Sequence, residues 1–220
     1  MQRRVIPELL DDDVGTPAQI AASLRDLACI NAWFGGTGTT TELLRRLIRQ
    51  SGCRELSVLE VGAGAGDVAL GAQRLLAREG ISLQINLLDR AWSHLPAGGV
   101  APAVAGDALR LPLRDGSVDV VSCALLAHHF EPEGLRQFAA EALRVARRAL
   151  LINDLIRSRL HLALVYLGMP LFRSRMTWHD APASVRRAYN PGEMRHLLAD
   201  LGTVQISRHY LFRMGVLLWK

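Results

Sequence analysis

The sequence predicts an α/β fold in which helices cover both faces of a mostly parallel sheet. From Leu56 onward, strand and helix patterns alternate, which is typical of parallel strands joined by right-handed crossovers. A glycine-rich turn over 62–66 joins the first strand to the first of these helices. The chain has 220 residues, 50% of them hydrophobic, which is enough for a single domain, 1–220, with a sizeable core.

Two helices are predicted before the sheet begins. Residues 1–15 have the pattern of an irregular arm. Thr16 and Pro17 are typical N-cap and first helical residues, and apolar residues then repeat at helical spacing to about residue 34. The glycine-rich run 35–38 predicts a flexible break, followed by a second helix over 39–50.

The central strands are short apolar runs bounded by polar or glycine-rich residues. Helical patterns cover 68–78 and 132–148, and 92–99 is a polar, glycine-rich connection. The predicted strands are 56–61, 81–88, about 101–105, 118–123 and 149–153.

The C-terminal part departs from simple alternation. Residues 155–172 are helix-like, whereas 173–189 are polar, basic and expected to be irregular. Asn190, Pro191 and Glu193 form a capping-box pattern that starts a helix ending near residue 201. Two last strands, over 203–207 and 210–218, are close enough in sequence to pair antiparallel.

The turn after the first strand has the features of a nucleotide-cofactor turn. Gly62, Gly64 and Gly66 let the backbone bend and approach a ligand, and the next helix offers unpaired N–H groups. A dinucleotide fingerprint instead needs G-x-G-x-x-G. Asp67 occupies the position of its third glycine, which argues against a nicotinamide cofactor and an NAD-linked oxidoreductase.

With Glu60 two residues before the first glycine, the turn reads E-x-G-x-G-x-G. This motif resembles the first motif of class I S-adenosylmethionine (SAM) dependent methyltransferases. The resemblance implies a Rossmann-like sheet of seven strands with an antiparallel last strand, and SAM as the cofactor. It further implies a helical lid over 1–50, a SAM-binding core over 56–155 and an acceptor-side insertion over 155–190.

The resemblance also implies which residues hold the cofactor. Asp89, which ends the second strand, would accept the ribose hydroxyls; Asp107, which follows the third, would bind the adenine amino group, with Ala108 beside the ring. A strand-end or turn aspartate without a ligand is the alternative at both positions. The complete predicted cofactor set is Glu60, Gly62, Ala63, Gly64, Gly66, Asp89, Arg90, Asp107, Ala108 and Cys123.

His128 and His129, just past the fourth strand, are the candidate catalytic residues. Histidine titrates near neutrality, so one of them could remove a phenolic or enolic proton. Because successive side chains diverge, only one is expected to face the cleft; simple packing is the alternative for both. His179 and Asp180 are expected in a lid or substrate-binding segment, since an aspartate does not easily orient its own neighbour.

Two further predictions concern the residues around the cleft. Asn153 and Asp154 either line it or cap a helix. The sequence shows no ligands at metal spacing, so no metal site is predicted.

The outer segments resemble small-molecule methyltransferases of ubiquinone and menaquinone biosynthesis. This resemblance implies a small aromatic or lipophilic acceptor, such as a phenol, quinol or polyketide-like molecule, methylated at a hydroxyl oxygen. RNA- and protein-modifying branches fit less well, because no Asn-Pro-Pro-Tyr motif follows the fourth strand. A non-catalytic SAM-binding or RNA-binding module is the alternative from another class.

Charge and composition bear on partners and location. The net charge is +5, but the basic residues are scattered among acids, so nucleic acid is not an expected partner. The lipophilic segment 155–172, followed by Arg173 and Arg175, is either an ordinary buried helix or a hydrophobic substrate wall that touches an anionic membrane surface. The widely spaced cysteines and the absence of an apolar signal core before Asp11-Asp12-Asp13 predict a cytoplasmic protein.

Overall fold

The computed structural model describes residues 1–11, 15–96 and 98–220. Asp12 and Asp13 of the acidic run, and residue 97 of the predicted connection 92–99, lie outside the described residues. The strands are β1 Glu55–Val61, β2 Ser82–Asp89, β3 Ala103–Ala105, β4 Val118–Ala124, β5 Ala146–Leu155, β6 Thr203–His209 and β7 Arg213–Trp219.

These strands form one seven-stranded sheet in the order β3-β2-β1-β4-β5-β7-β6. The pairs from β3 to β5 are parallel, as crossover helices require, while β7 runs antiparallel to both β5 and β6. The predicted Rossmann-like, mostly parallel sheet is thus confirmed. Residues 210–212, expected in the last strand, instead form a short 3-10 turn in which Leu211 and Phe212 have positive φ.

The helices surround this sheet. They are α1 Pro17–Trp33, α2 Gly36–Ser51, α3 Asp67–Ala77, α4 Pro132–Val145, α5 Arg159–Gly168, α6 Arg175–Arg187 and α7 Pro191–Leu198. Both predicted N-caps are present: Thr16 and Asn190 each form a capping box, with Gln19 and Glu193 respectively. Each box satisfies backbone groups that a helix start otherwise leaves unpaired.

Two predicted boundaries and one predicted irregular segment are wrong. The expected break over 35–38 is much shorter, because Gly35 in the left-handed conformation turns the chain and α2 begins at Gly36. The fourth helix ends at Val145, and β5 therefore begins three residues earlier than predicted. Residues 173–189 contain α6 rather than irregular chain; Pro182 lies inside this helix, and its buried face packs on α1 and α5.

Side chains alternate between the two faces of the sheet, so each face has its own apolar cluster. On one face, Leu59 and Val61 of β1 lie in a cluster with residues of α4 and α7. On the other, Val58 packs with residues of α2 and α3, including Leu44 and Leu47. Burying a leucine side chain contributes about 1.5–3 kcal/mol. The helix α2 thus covers this face of the sheet.

Among the residues that the structure describes, no helix combines the length and hydropathy needed to cross a membrane. Cys29, Cys53 and Cys123 are all free thiols.

Candidate functional site

A cavity of about 970 Å³ opens at the carboxyl ends of the parallel strands. Ligands of open α/β sheets bind at this edge, because the loops that leave the strands converge there. The cavity is large for one small ligand, since such pockets usually measure about 300–1,000 Å³. One half, the cofactor half, is lined by residues 60–65, 67–68, 88–91 and 106–109. The other, the acceptor half, is lined by the N-terminal arm (residues 1–11), α1, α5, α6 and the turn after β4.

The glycine turn has the backbone that its sequence predicts. Gly62, Gly64 and Gly66 have φ of 65°, 52° and 78°, a region that favours glycine. A Cβ on Gly62 would lie 2.9 Å from Leu126, whereas a Cβ on Gly64 would meet only Leu24, at 3.9 Å. The space above Gly64 is therefore open, and a ligand can approach the backbone there.

Asp89 is fixed at the end of β2 by two backbone groups. The N–H of Gly64 donates to its Oδ2 at 2.8 Å, and the N–H of Ala91 donates to its Oδ1 at 3.0 Å. The carboxylate lines the cavity, and each of its oxygens can accept more than one hydrogen bond. It is thus an oriented acceptor beside the glycine turn.

Glu60 is a buried carboxyl group at the base of the cavity. Burial raises its pKa to about 7, although a hydrogen bond with Ser122 opposes the shift. Its Oε2 has no hydrogen-bond partner among the described residues. A buried polar atom without a partner is costly, so a donor supplied by a ligand would fit this position.

Four more residues of the predicted cofactor set line the cavity: Ala63, Arg90, Asp107 and Ala108. Asp107 is exposed at the mouth, where it accepts from the N–H of Leu109 at 2.8 Å, and Ala108 lies beside it in the lining. Ala63 and Arg90 also line the cavity, and Arg90 donates to the carbonyl of Asp11 at 2.8 Å.

Two predicted cofactor residues do not line the cavity. Gly66 is the left-handed N-cap of α3, where a Cβ would lie 2.9 Å from Leu87. Cys123 is fully buried in the core, and burial raises the pKa of its thiol well above the usual value. The prediction of a cofactor contact for the Cys123 side chain is wrong for this reason: it packs between the sheet and the helices.

His128 is held rigidly by Asp154 at the end of β5. The backbone N–H of His128 donates to Oδ2 of Asp154 at 2.9 Å, and its ring Nδ1 lies 2.7 Å from Oδ1. Burial lowers the pKa of His128, but the carboxylates of Asp154 and Glu8 outweigh burial and raise it to about 10. The two carboxylates therefore stabilise the protonated form of this ring.

His129 lies beside this group and is held by the N-terminal arm. Its Nδ1 is 2.6 Å from Oδ2 of Asp11, and its Nε2 is 3.9 Å from Oε2 of Glu8. The two histidine rings lie 4.2 Å apart. Both line the cavity, so the expectation that only one would face it is wrong. They lie in a tight 3-10 turn, where successive side chains need not alternate as they do in a strand.

Glu8 was not singled out by the sequence. It is buried; Ser184 donates to its Oε2 at 2.9 Å, and its Oε1 lies 3.4 Å from Nε2 of His128. Burial would raise the pKa of Glu8, but His128 and His129 outweigh it and lower the pKa. No local pattern signals this residue, because its partners are more than 100 positions away in the chain.

The N-terminal arm closes over the acceptor half through many such contacts. Arg3 donates to the carbonyls of His128 and Phe130, and the N–H groups of Leu9 and Leu10 donate to the carboxylate of Asp180. The arm has no regular secondary structure, as expected, yet it forms a wall of the site.

Three other predicted residues have defined roles. Asn153 does not cap a helix: its side chain donates to the carbonyl of Gly36 at 2.7 Å and to Thr40. Asp180 lines the cavity, while its neighbour His179 points away and is largely exposed. The two do interact, with Nδ1 of His179 lying 2.8 Å from Oδ1 of Asp180, against the expectation for adjacent residues.

The rest of the acceptor half is largely apolar, but its lining also includes polar side chains, among them Asn31, His161 and Arg213. This arginine is fully buried; burial lowers its pKa to about 10, and its guanidinium donates to Asn31, Asn153 and the carbonyl of Phe34. The apolar lining residues contributed by the helices include Leu24, Leu27, Ile30, Leu164, Val165 and Val185.

Comparisons with known proteins agree with this geometry. Residues 59–150 match the family model described as methyltransferase domain. A Bacillus subtilis (strain 168) protein, named uncharacterized methyltransferase YcgJ, is 32% identical over 111 residues, 49% of this chain. The present chain spans 43% of that relative's length.

Solved structures extend the similarity of fold to most of the chain. The plantazolicin methyltransferase BpumL, in complex with a desmethyl-plantazolicin analogue and S-adenosylhomocysteine (SAH), has a TM-score of 0.66 and 13% identity, covering 90% of this chain and 88% of that one. Human N-acetylserotonin methyltransferase in complex with SAM has a TM-score of 0.61 and 14% identity, covering 90% and 54%. A SAM-dependent methyltransferase from Aquifex aeolicus has a TM-score of 0.54 and 18% identity, covering 80% and 88%.

Proposed function

Because the chain carries a class I SAM-dependent methyltransferase domain, we propose that it transfers a methyl group from SAM to a small lipophilic acceptor held beneath the N-terminal arm. The observation that most supports this is that one cavity contains both a polar, glycine-lined half and a largely apolar half. The first suits a nucleoside cofactor and the second suits a lipophilic molecule.

The residues of the cofactor half fit SAM. In the proposed mode, Asp89 accepts hydrogen bonds from the ribose hydroxyls, and the turn through Gly62, Ala63 and Gly64 supports the cofactor from below. The unpartnered carboxyl of Glu60 is available to a donor of the cofactor. Asp107 and Ala108, at the mouth, contact the adenine, and Arg90 anchors the arm across this end.

The acceptor half fits an aromatic or aliphatic molecule with a hydroxyl group. Apolar side chains from α1, α5 and α6 form much of its wall, and His128 and His129 present polar groups beside them. An acceptor would bury its apolar body and direct its hydroxyl oxygen toward this cluster. Methylation at oxygen, of a phenol, quinol or polyketide-like acceptor, is therefore the proposed reaction.

SAM supplies a methyl group already activated on a sulfonium, so the protein's task is alignment and exclusion of water. The arm and α6 cover the acceptor half and keep bulk water out, held together by the contacts of Asp180 with Leu9 and Leu10. His128 and His129 lie at the polar end, where Nε2 of His129 would take the hydroxyl proton as the methyl group passes from the sulfonium to the acceptor oxygen and SAH remains. Asp154 fixes the orientation of His128.

A thermal-shift comparison tests the cofactor assignment. A ligand that binds only the folded chain raises its melting temperature. We expect SAM and SAH to stabilise the protein and NAD to have no effect. Stabilisation by NAD alone would overturn the assignment and favour an oxidoreductase.

A second experiment tests the acceptor side. His129→Ala should slow methyl transfer from radiolabelled SAM to the best phenol or quinol of a panel by about 100-fold or more, the range of a lost catalytic group. SAH affinity, measured by calorimetry, should stay within about twofold, because His129 lies in the acceptor half. Normal turnover by His129→Ala would contradict its role. Retained SAM binding with no transfer to any acceptor tested would favour a non-catalytic module.

A further inference from the structure

Two histidines and a glutamate meet in the wall of the acceptor half. Single ligand atoms of Glu8, His128 and His129 all lie within 4.8 Å of one another. Both Nε2 atoms approach the Glu8 carboxylate: that of His128 is 3.4 Å from Oε1 and that of His129 is 3.9 Å from Oε2. Ligands bonded to a tetrahedral zinc at about 2.0–2.1 Å are about 3.4 Å apart, so these separations are close to those of a bound cation.

The second ring nitrogen of each histidine is held by a different carboxylate. Nδ1 of His128 is 2.7 Å from Asp154, and Nδ1 of His129 is 2.6 Å from Asp11. Histidines that bind metals usually donate their other ring nitrogen to a carboxylate, which fixes the ring and makes it a better ligand. Here both histidines have that arrangement, and both direct Nε2 toward the same carboxylate.

The facing atoms are also buried, and they meet as an ion pair at 3.4 Å. Nε2 of His128 and Oε1 of Glu8 have no hydrogen-bond partner among the described residues, and the His128 side chain is only 2% exposed. Protonating the His128 ring balances charge but does not give these two atoms hydrogen-bond geometry. A cation between them would satisfy both at once.

The charges around the cluster favour a dication. Glu8, Asp11 and Asp154 place three carboxylates around the two imidazoles. Two arginines lie beside the cluster: the guanidinium of Arg187 is 3.6 Å from Asp11, and Arg3 donates to the carbonyl of His128 at 3.3 Å. With both imidazoles neutral, as metal binding requires, the acidic side chains outnumber the basic ones.

We propose that Glu8, His128 and His129 bind a divalent first-row transition metal, such as Zn²⁺, through the Glu8 carboxylate and the two Nε2 atoms. Imidazole ligands favour such ions over Mg²⁺ or Ca²⁺, which prefer oxygen. All three ligands line the cavity, so the remaining coordination positions face it and can take oxygen ligands. This inference rests on the proposed function in one respect: with both Nε2 atoms on the metal, the acceptor oxygen would occupy an open coordination position instead of contacting the two rings.

Cobalt absorption tests the site directly, in the untagged full-length protein. Co²⁺ bound to two histidines and a carboxylate gives a visible band whose titration yields the stoichiometry. We expect one Co²⁺ per chain, displaced by Zn²⁺ but not by Mg²⁺. Glu8→Gln and His129→Ala should each weaken binding by at least about 10-fold, and Asp11→Asn, which loosens His129, by about 10- to 100-fold.

The matched control is His196→Ala, which removes an exposed histidine of α7. It should bind Co²⁺ like the unmodified protein. SAH affinity, measured on every variant, shows that each is folded, and it reports on the proposed cofactor separately from the metal. Absence of the band in the unmodified protein, or an undiminished band in both Glu8→Gln and His129→Ala, would overturn the proposal.

Discussion

The two halves of the cavity are built differently. The cofactor half comes from residues 60–109, in which each contact follows a strand of the sheet within a few positions. The acceptor half joins Glu8 and Asp11 to residues more than 100 positions away, including His128, His129 and Ser184. The cofactor half is therefore formed by residues close in sequence, at the ends of strands. The acceptor half forms only when distant segments of the chain pack together. Changes in the acceptor half should therefore cost more stability, and changes in the cofactor half should cost more SAM affinity.

The largest expected effect is on stability. Asp154→Ala would leave the buried His128 without its main carboxylate, and breaking a buried ion pair from one side costs about 3–5 kcal/mol. Urea denaturation should show this loss. The control Asp107→Ala, in the exposed mouth of the cofactor half, should change stability by about 0.5 kcal/mol or less. Equal losses for the two variants would remove the distinction between the halves.

Glu60 is a buried acid in the cofactor half, and its effect on the free energy of unfolding depends on pH. Its pKa is raised from an ordinary value of 4.5 to about 7, so between these values the unfolded chain loses the proton first. Its contribution to stability is therefore full below about pH 4.5 and is lost as pH rises through 7, by about 3 kcal/mol at most.

The measurement is the melting temperature of unmodified protein and Glu60→Gln across this range. Relative to Glu60→Gln, the unmodified protein should lose stability as pH rises, and the difference should level off above about pH 7. A difference that is independent of pH would show that Glu60 is ionised in the folded chain.

Substitution of Asp89 should lower the affinity for SAM much more than it lowers the stability of the fold. Asp89→Ala removes an anionic acceptor, and hydrogen bonds to charged groups contribute about 1.5–3 kcal/mol, so SAM affinity should fall by about 10- to 100-fold. Calorimetry with SAH measures this loss, and Asp200→Ala, at an exposed ion pair with Arg136, is the matched control. Unchanged affinity for Asp89→Ala would place the cofactor elsewhere.

The smallest expected effect concerns the outer surface of the acceptor half. Leu160, Leu167 and Leu171 are exposed there, and Arg173 and Arg175 are exposed beside them. If this face touches an anionic membrane, each arginine contributes about 1 kcal/mol. Co-sedimentation with phosphatidylserine vesicles should therefore weaken in the double variant Arg173→Gln/Arg175→Gln. The same binding by both proteins would argue against membrane contact.

The sequence predicts most of the sheet because each strand is marked locally. Apolar runs bounded by polar or glycine residues locate the strands to within a few positions, and the Thr16 and Asn190 capping boxes mark two helix starts. The errors occur where packing overrides local preference. The helix α6 forms despite Pro182 because its buried face packs on α1 and α5, and Gly36 and Gly38 are helical because α2 is held against the sheet.

For the site, local patterns are sufficient only in the cofactor half. Gly62, Gly64 and Asp89 can be recognised because the backbone conformation of a strand–turn–helix unit depends on neighbouring residues. The partners of His128 and His129 cannot, since Glu8 and Asp11 carry no signal of their own in an arm without regular structure. The positions of Glu8 and Asp11 depend on how the arm packs on α6 and on the turn after β4. Contacts between segments so far apart leave no periodic pattern or fixed spacing in the sequence.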